Sequence, residues 1–355
     1  MKHSVQLLSI IFAIIFSTAT VQAKDLDLPE EFDGLGPTVH SYDAPSGRTL
    51  AYIDHGDSYG HVLVFLGGWG TSVRVFNLLE FARTMRETLG IRVISVERNG
   101  LGQTAFDPDL GFADYTQDVE ELLTHLGVNQ FSIMAISGGG PYAARIIAAH
   151  PDRVLSVHMA AAITDFGTSS DCTYPGNPEA FRYYANNPTE WWGWDSDTPT
   201  INQVEGLKET ADDDATRLFY MGGQQGDPAA LAHETGLYGC AGAPENVPDL
   251  STVTAPVFIY YGEDDGAISS LPKWLDLFSG VEPTVRLYPD EGHTAQYRHF
   301  DQIMIDIVGY KNQLVVCEEK GHGHKAILKT RLMKEKDALE KLEQGKVTLG
   351  MCAWR

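Results

Sequence analysis

The chain has 355 residues, with 26 Lys or Arg against 48 Asp or Glu, and so carries a formal net charge of −22. Hydrophobic residues make up 43% of it, which is typical of a globular protein and excludes a disordered or collagen-like chain. The acidic balance argues against nucleic-acid binding, which needs a basic face, and against adsorption to anionic membranes. The charge is uneven, because residues 311–355 hold 10 basic and 6 acidic side chains.

Residues 1–23 have the layout of a secretory signal peptide. Lys2 and His3 give a positive start, residues 7–16 form an apolar run, and residues 21–23 offer small side chains to a signal peptidase. The apolar run is short for a membrane span, which needs about 20 residues. We therefore expect cleavage at this point, a secreted or periplasmic location, and no membrane span in the mature protein.

From residue 38 onward the chain alternates between strand-like and helix-like patterns. The patterns predict strands at 38–43, 49–54, 61–66, 91–97, 130–136, 154–162, 256–261 and 284–288, and helices at 73–89, 112–126, 139–150, 270–278 and 295–310. This alternation indicates an α/β fold with a mostly parallel central sheet and helices on both faces. It pauses over 163–250, so we interpret 24–162 and 251–313 as one domain that carries 163–250 as an insertion.

Residues 314–355 form a basic appendix to this domain. Between 326 and 342 the apolar residues at 328, 332, 339 and 342 stand among Lys and Glu, which predicts an amphipathic helix. We expect this helix to dock on the acidic body.

The chain has four cysteines, all outside the predicted signal peptide: Cys172, Cys240, Cys317 and Cys352. An even number of cysteines in an exported chain suggests disulfides, and four cysteines allow three pairings. Proximity in the sequence favours Cys172–Cys240 and Cys317–Cys352, and the alternative is that some are buried free thiols. The chain has no CxxC pair, and the sequence predicts neither a metal site nor a cofactor.

Ser137 is the predicted nucleophile. It stands in the run AISGGG at 135–140, between a predicted strand and a predicted small-residue helix, which is the context of a nucleophile elbow. The sharp turn demands small residues two positions before and two positions after the serine, and these are Ala135 and Gly139. The alternative is an ordinary glycine-rich turn.

A base and an orienting acid follow the last two predicted strands. His293 follows the last strand, and Asp265 follows the strand before it. The chain order Ser, Asp, His is the one expected for this arrangement. Asp264 and Glu263 are alternatives to Asp265, and a surface histidine is the alternative for His293.

Two backbone N–H groups should hold the oxyanion that forms when a serine attacks a carbonyl. The amide of Gly138 is one of them. The loop after the strand at 61–66 supplies the other from Gly68 or Trp69, since glycine lets the backbone approach a substrate closely.

With these residues the chain resembles the α/β-hydrolase family over roughly residues 38–312. The resemblance rests on the oxyanion loop GGWG at 67–70, the turn ERNGLGQT at 97–104, Ser137, Asp265 and His293. Two positions depart from the family pattern: Ala135 replaces the first glycine of the elbow, and Leu66 stands where the family often has histidine. The resemblance implies that 163–250 forms a cap over the active site.

The implied cap carries three tryptophans, Trp191, Trp192 and Trp194. They line the substrate site or form the cap's own hydrophobic core. Residues 163–250 hold 15 acidic and 3 basic side chains, so we expect small-molecule substrates that are neutral or cationic.

Together these features predict a secreted serine hydrolase that cleaves a carboxylic ester or lactone through an acyl-enzyme. An amidase or a peptidase of the proline-iminopeptidase kind is the first alternative, although the elbow lacks the GGSWG run of that group. A hydroxynitrile lyase could use the same triad. A non-catalytic binding protein on the same fold would be expected to lack a triad member, and none is missing.

Overall fold

The computed structural model describes residues 36–167, 228–239, 247–321 and 327–352. The predicted signal peptide, Cys172, Cys240 and the tryptophans at 191, 192 and 194 lie outside the described residues. Within the described part of the chain, none of the helices has the length and apolar character needed to cross a membrane. In the same ranges, no group of three or more His, Cys, Asp or Glu side chains is arranged to hold a metal ion.

Eight strands form the central sheet. They are β1 (Val39–Asp43), β2 (Thr49–His55), β3 (His61–Leu66), β4 (Ile91–Val96), β5 (Phe131–Ile136), β6 (Val154–Ala160), β7 (Val257–Gly262) and β8 (Thr284–Tyr288). Their order is β1-β2-β4-β3-β5-β6-β7-β8, with antiparallel pairing from β1 to β4 and parallel pairing from β4 to β8. The carboxyl ends of the parallel strands therefore meet at one edge, where open α/β sheets place their ligand sites.

Helices connect these strands. The α-helices are α1 (Arg83–Thr88), α2 (Phe112–His125), α3 (Gly139–Ala149), α4 (Pro228–Gly239), α5 (Leu271–Leu277), α6 (Ala295–Arg298) and α7 (Phe300–Ile307). The 3₁₀-helices Val73–Ala82 and Gly266–Ser270 run directly into α1 and α5. The predicted helix at 73–89 therefore combines two helix types, and the predicted helix at 270–278 begins at the last residue of a 3₁₀-helix. The predicted helix at 295–310 is divided at His299 into α6 and α7.

Alternate residues of β5 face two separate cores. Ile133 and Ala135 pack in a cluster with residues of α2, α3 and α5, whereas Met134 and Ile136 pack with the 3₁₀-helix Val73–Ala82 and α7. All four side chains are at most 2% exposed. Because successive side chains of a strand point to opposite faces, the unbroken apolar run of β5 requires helices on both sides of the sheet.

The C-terminal module (residues 313–352) adds a second, smaller sheet. It comprises β9 (Gln313–Lys320), β10 (Ile327–Lys334), a helix α8 (Glu335–Glu343) and β11 (Val347–Leu349), and β9 pairs antiparallel with both neighbours. The predicted helix over 326–342 is therefore wrong for its first half, which forms a strand. Residues 328 and 332 share a face in a helix and in a strand alike, so their spacing did not distinguish the two, and pairing with β9 decides the outcome.

The C-terminal module is fastened to α7 and closed by a disulfide. The side-chain amide of Gln302 donates to the carbonyl of Gln313 at 3.0 Å and accepts from the N–H of Val315 at 2.8 Å. Cys317 and Cys352 are disulfide-bonded, which confirms that predicted pairing. β9 is thus one point of attachment to the body, and Glu335 of α8, which lies 3.5 Å from Arg286, is another.

Candidate active site

Ser137 occupies the turn between β5 and α3. Its φ angle of +50° lies in the left-handed region, which is uncommon for a residue with a Cβ and typical of a nucleophile elbow. A Cβ at Gly139 would lie 2.7 Å from the carbonyl oxygen of Leu66 and 2.8 Å from that of Gly67. Glycine is therefore required two residues after the serine, and Ala135, two residues before it, is completely buried.

His293 and Asp265 are joined by a hydrogen bond. His293 Nδ1 lies 3.0 Å from Asp265 Oδ1, and the same oxygen accepts from the backbone N–H of Ala267 at 2.8 Å. Asp265 is 3% exposed, whereas Glu263 and Asp264 are exposed and make no such contact with the imidazole. With Nδ1 donating to the carboxylate, Nε2 is the nitrogen that can accept a proton.

The loops after β7 and β8 are held against each other, which brings the acid to the histidine. The backbone N–H of Asp264 donates to the carbonyl of Glu291 at 2.9 Å. A Cβ at Gly262 would lie 2.0 Å from that same carbonyl oxygen, so the glycine that ends β7 permits this close approach.

The loop that carries His293 is also braced by a buried histidine. Glu291 Oε1 lies 2.7 Å from His299 Nε2. His299 is 2% exposed, and its ring stacks on that of Tyr288 with centroids 3.7 Å apart. A Cβ at Gly350 would lie 3.1 Å from His299 Nδ1, so the C-terminal module contacts this histidine directly.

The two backbone segments predicted to hold an oxyanion lie side by side. A Cβ at Gly138 would be 2.7 Å from the backbone nitrogen of Trp69. A Cβ at Gly68 would be 3.9 Å from Ser137 Oγ. The turn after β5 and the loop after β3 therefore present their backbones to the same space beside the serine.

Three residues that were not predicted from the sequence contact these segments: Arg98, Glu234 and Tyr238. Arg98 lies in the glycine-rich turn after β4, and the other two lie one helical turn apart on α4. The Glu234 carboxylate accepts a hydrogen bond from the N–H of Gly70, which is 164 residues away in the chain. One more acidic residue in the acidic stretch 163–250 carries no signal of its own, so only the three-dimensional contact identifies it.

Glu97, next to Arg98, is a buried carboxyl group around which the turn at 97–104 is built. Burial raises the pKa of Glu97 to about 8, against the opposing effects of Arg98 and of the N–H of Val73. That N–H donates to Glu97 Oε1 at 3.1 Å. A Cβ at Gly102, whose φ is +54°, would lie 2.1 Å from Glu97 Oε2, so the turn leaves no room for a side chain there.

Comparison with known proteins identifies relatives over most of the chain. A family model described as alpha/beta hydrolase fold matches residues 61–300. The uncharacterized hydrolase YcgS of Bacillus subtilis is 29% identical over 149 residues, 42% of this chain and 49% of that protein, so the match spans about half its length. A non-heme chloroperoxidase of Streptomyces lividans is 26% identical over 289 residues, 74% of this chain and 96% of that protein.

Solved structures share the fold. The esterase RhEst1 from a Rhodococcus species has a TM-score of 0.59 at 18% identity, over 77% of this chain and 98% of that one. The enol-lactonase from Burkholderia xenovorans has a TM-score of 0.55 at 17% identity, over 77% of this chain and 99% of that one. At these identities the likeness is one of fold.

Proposed function

We propose that this chain, which belongs to the α/β-hydrolase fold family, is a serine hydrolase that cleaves a carboxylic ester or a lactone. The observation that carries the proposal is the 3.0 Å hydrogen bond between His293 and the buried Asp265, at the same sheet edge as the turn of Ser137. An imidazole oriented by a buried carboxylate is a general base. A serine held with φ at +50° in a strand–turn–helix context is the nucleophile that such a base activates.

Each of these residues has a defined step in the proposed reaction. His293 Nε2 takes the proton of Ser137 Oγ as that oxygen attacks the carbonyl carbon, while Asp265 accepts from Nδ1–H and stabilises the imidazolium. The amides of Gly138 and of the loop after β3 hold the oxyanion. His293 then protonates the leaving alkoxide oxygen, and water attacks the acyl-enzyme by the same route to release the acid and the free serine.

The choice of substrate class draws on the relatives. The solved structures named as an esterase and an enol-lactonase support esters and lactones as the first substrates to test. The relative named as a non-heme chloroperoxidase motivates a parallel assay with hydrogen peroxide, which could replace water at the acyl-enzyme and release a peracid.

The deciding experiment measures turnover by the purified protein on a panel of p-nitrophenyl esters, lactones and aminoacyl amides. We expect turnover of esters or lactones by the wild type, its loss in Ser137→Ala, and its retention in Ser251→Ala, which changes an exposed serine. Equal activity in Ser137→Ala and wild type would overturn the proposal. Activity confined to aminoacyl amides would favour the peptidase alternative.

Substrate charge is tested on the same panel. The chain carries a net charge of −22, so a neutral ester should have a higher kcat/KM than a matched anionic ester at low salt. The difference should shrink as salt rises, because salt screens the repulsion. An anionic ester that is preferred at low salt would contradict this expectation.

We also propose that the protein is exported. Residues 1–23 have the three-part layout of a signal peptide, and the Cys317–Cys352 disulfide is of the kind that persists in oxidising compartments. Protein recovered from the periplasm or the medium should begin at Lys24. A full-length protein that begins at Met1 and stays in the cytosol would contradict this part of the proposal.

A further inference from the structure

We propose that helix α4 sets the geometry of the oxyanion hole, with Glu234 and Tyr238 as its positioning residues. The inference rests on the proposed serine hydrolase function and adds to it a control by a helix from the long segment between β6 and β7. α4 contacts both backbone segments of the candidate hole. Glu234 contacts the loop after β3, and Tyr238 contacts the turn after β5.

Glu234 holds the loop after β3 directly and through Arg98. Its Oε2 accepts from the N–H of Gly70 at 2.8 Å, and its Oε1 lies 2.6 Å from Arg98 Nε. The Glu234 and Arg98 side chains are 4% and 5% exposed, so their attraction is little weakened by water. Burial alone would lower the pKa of Arg98, but Glu234 raises it above its ordinary value, so the guanidinium stays charged.

Arg98 carries this restraint to the carbonyl groups of the loop. Its Nη1 donates to Gly67 O at 2.9 Å, and its Nη2 donates to Gly68 O at 2.6 Å. A peptide unit is planar, so fixing the carbonyl of one residue also fixes the N–H of the next. The carbonyls of Gly67 and Gly68 share their planes with the N–H groups of Gly68 and Trp69. Arg98 therefore orients both candidate donors of this loop.

Tyr238 holds the other half of the candidate hole. Its hydroxyl donates to the carbonyl of Gly138 at 2.7 Å. A Cβ at Gly138 would lie 2.7 Å from the Trp69 backbone nitrogen and 2.9 Å from the Tyr238 hydroxyl oxygen, so only glycine fits at the residue that supplies the second oxyanion donor. The bond from the phenol limits how far the backbone of this residue can move. Since Glu234 and Tyr238 are four residues apart on α4, one helix face reaches both segments.

The helix is fitted closely enough to its neighbours to act as a support. Leu231 is 1% exposed, and a Cβ at Gly100 would lie 2.3 Å from the Cβ of Ala230. The ring nitrogen Nε2 of His233 lies 2.6 Å from the carbonyl oxygen of Leu110. A displacement of α4 would therefore move Glu234 and Tyr238 together.

The experiment compares Glu234→Gln, Tyr238→Phe and the matched control Thr235→Val. Thr235 is buried on the same helix. Its hydroxyl donates to the carbonyl of Leu231 at 2.7 Å, which is its one side-chain hydrogen bond within the described part of the chain. We expect kcat to fall about tenfold or more in the first two variants with KM changed less than threefold, because the loss concerns transition-state charge. The control should keep wild-type kcat and KM.

A transition-state readout separates positioning from general damage. The Ki of a boronic-acid or trifluoromethyl-ketone inhibitor should rise in parallel with the loss of kcat/KM in Glu234→Gln and Tyr238→Phe. The pH dependence of kcat should keep its wild-type form. Backbone amide chemical shifts of Gly68 and Gly138 should move in both variants and not in Thr235→Val, and this measurement needs no substrate.

Several outcomes would overturn the proposal. Wild-type kcat and Ki in a folded Glu234→Gln and a folded Tyr238→Phe would do so, as would unchanged shifts of both glycines. Tyr238→Phe removes one oxygen atom from a ring that stays packed. This variant therefore tests the positioning role of α4 even if Glu234→Gln does not fold. A wild type without turnover on any substrate would instead count against the proposed function, and the chemical shifts would still test the role of α4.

Discussion

The two halves of the candidate active site are supported by different parts of the molecule. On the oxyanion side, a buried ion pair and a phenol from α4 hold the loop after β3 and the turn of Ser137. On the acid–base side, His299 holds Glu291 only 8 residues away, and the C-terminal module contacts that histidine through Gly350. His299 and Glu291 lie within the family match at residues 61–300, whereas Gly350 lies outside it.

The residues that support the site come from other parts of the fold than the predicted reacting groups do. The predicted triad lies on three strand exits of the central sheet, whereas the supports include a helix between β6 and β7 and the C-terminal module. The oxyanion side depends on an ion pair that is shielded from water, and the acid–base side depends on packing and on hydrogen bonds to Glu291. Changes to the two sides should therefore have different kinetic and thermal signatures.

The largest effect is expected at the proposed general base, His293. His293→Gln should lower kcat by about 10³-fold or more, because the serine then has no group to take its proton. Steady-state kinetics on an ester will measure this loss. His125→Gln, at an exposed histidine, is the matched control. A His293→Gln enzyme with more than a tenth of wild-type kcat would contradict the assignment.

The acid should rank second. Asp265→Asn should lower kcat by about 10²- to 10⁴-fold, because an amide no longer holds the imidazole in the tautomer that leaves Nε2 basic. Asp264→Asn changes an exposed neighbour and should stay within twofold of wild type. If the two variants exchanged these phenotypes, Asp264 would be the orienting acid.

A smaller effect on activity is expected from the support on the acid–base side. The disulfide closes a loop with a sequence separation of 35, for which chain entropy gives a contribution of at most about 3–4 kcal/mol. The double variant Cys317→Ser/Cys352→Ser should lower Tm clearly and kcat only a few-fold, because the module reaches His293 indirectly. A kcat loss without a change in Tm would contradict this division between packing and chemistry.

The smallest effect is a pH dependence of stability on the oxyanion side. The pKa of Glu97 is raised by burial from an ordinary 4.5 to about 8. The folded state thus binds this proton more tightly than the unfolded state, so the group costs the wild type stability as pH rises from about 4.5 to about 8. Glu97→Gln removes this cost, and its Tm relative to wild type should rise by a few degrees across that window. If the Tm difference between Glu97→Gln and wild type were constant from pH 5 to pH 8, that result would contradict a raised pKa for the buried Glu97 carboxyl.

The fold could be predicted from the sequence because its signals are local. The apolar run of β5 and the glycines that end α1 and α2, both with positive φ, carry their structural meaning within a few residues. The α/β-hydrolase fold and the Cys317–Cys352 pairing are confirmed. The strand at Ile327–Lys334 was missed because its apolar spacing of four residues suits a helix equally well and its partner strand lies earlier in the chain.

The residues that support the site could not be predicted, because they are defined by contacts between distant parts of the chain. The pairing of Arg98 with Glu234 joins a turn to a helix far along the chain, and neither residue type nor spacing identifies it. The same holds for the contact of Gly350 with His299. Candidate reacting groups stand at strand ends and follow a known order, whereas the residues that position them are defined only by the folded chain.

The central claim is tested most directly by active-site labelling with mass spectrometry. The purified protein is treated with a fluorophosphonate, its intact mass is measured, and the labelled peptide is sequenced. The account predicts one adduct per chain, on Ser137, that forms much more slowly in His293→Gln. An adduct on another residue, or an active enzyme that takes up no label at Ser137, would contradict it.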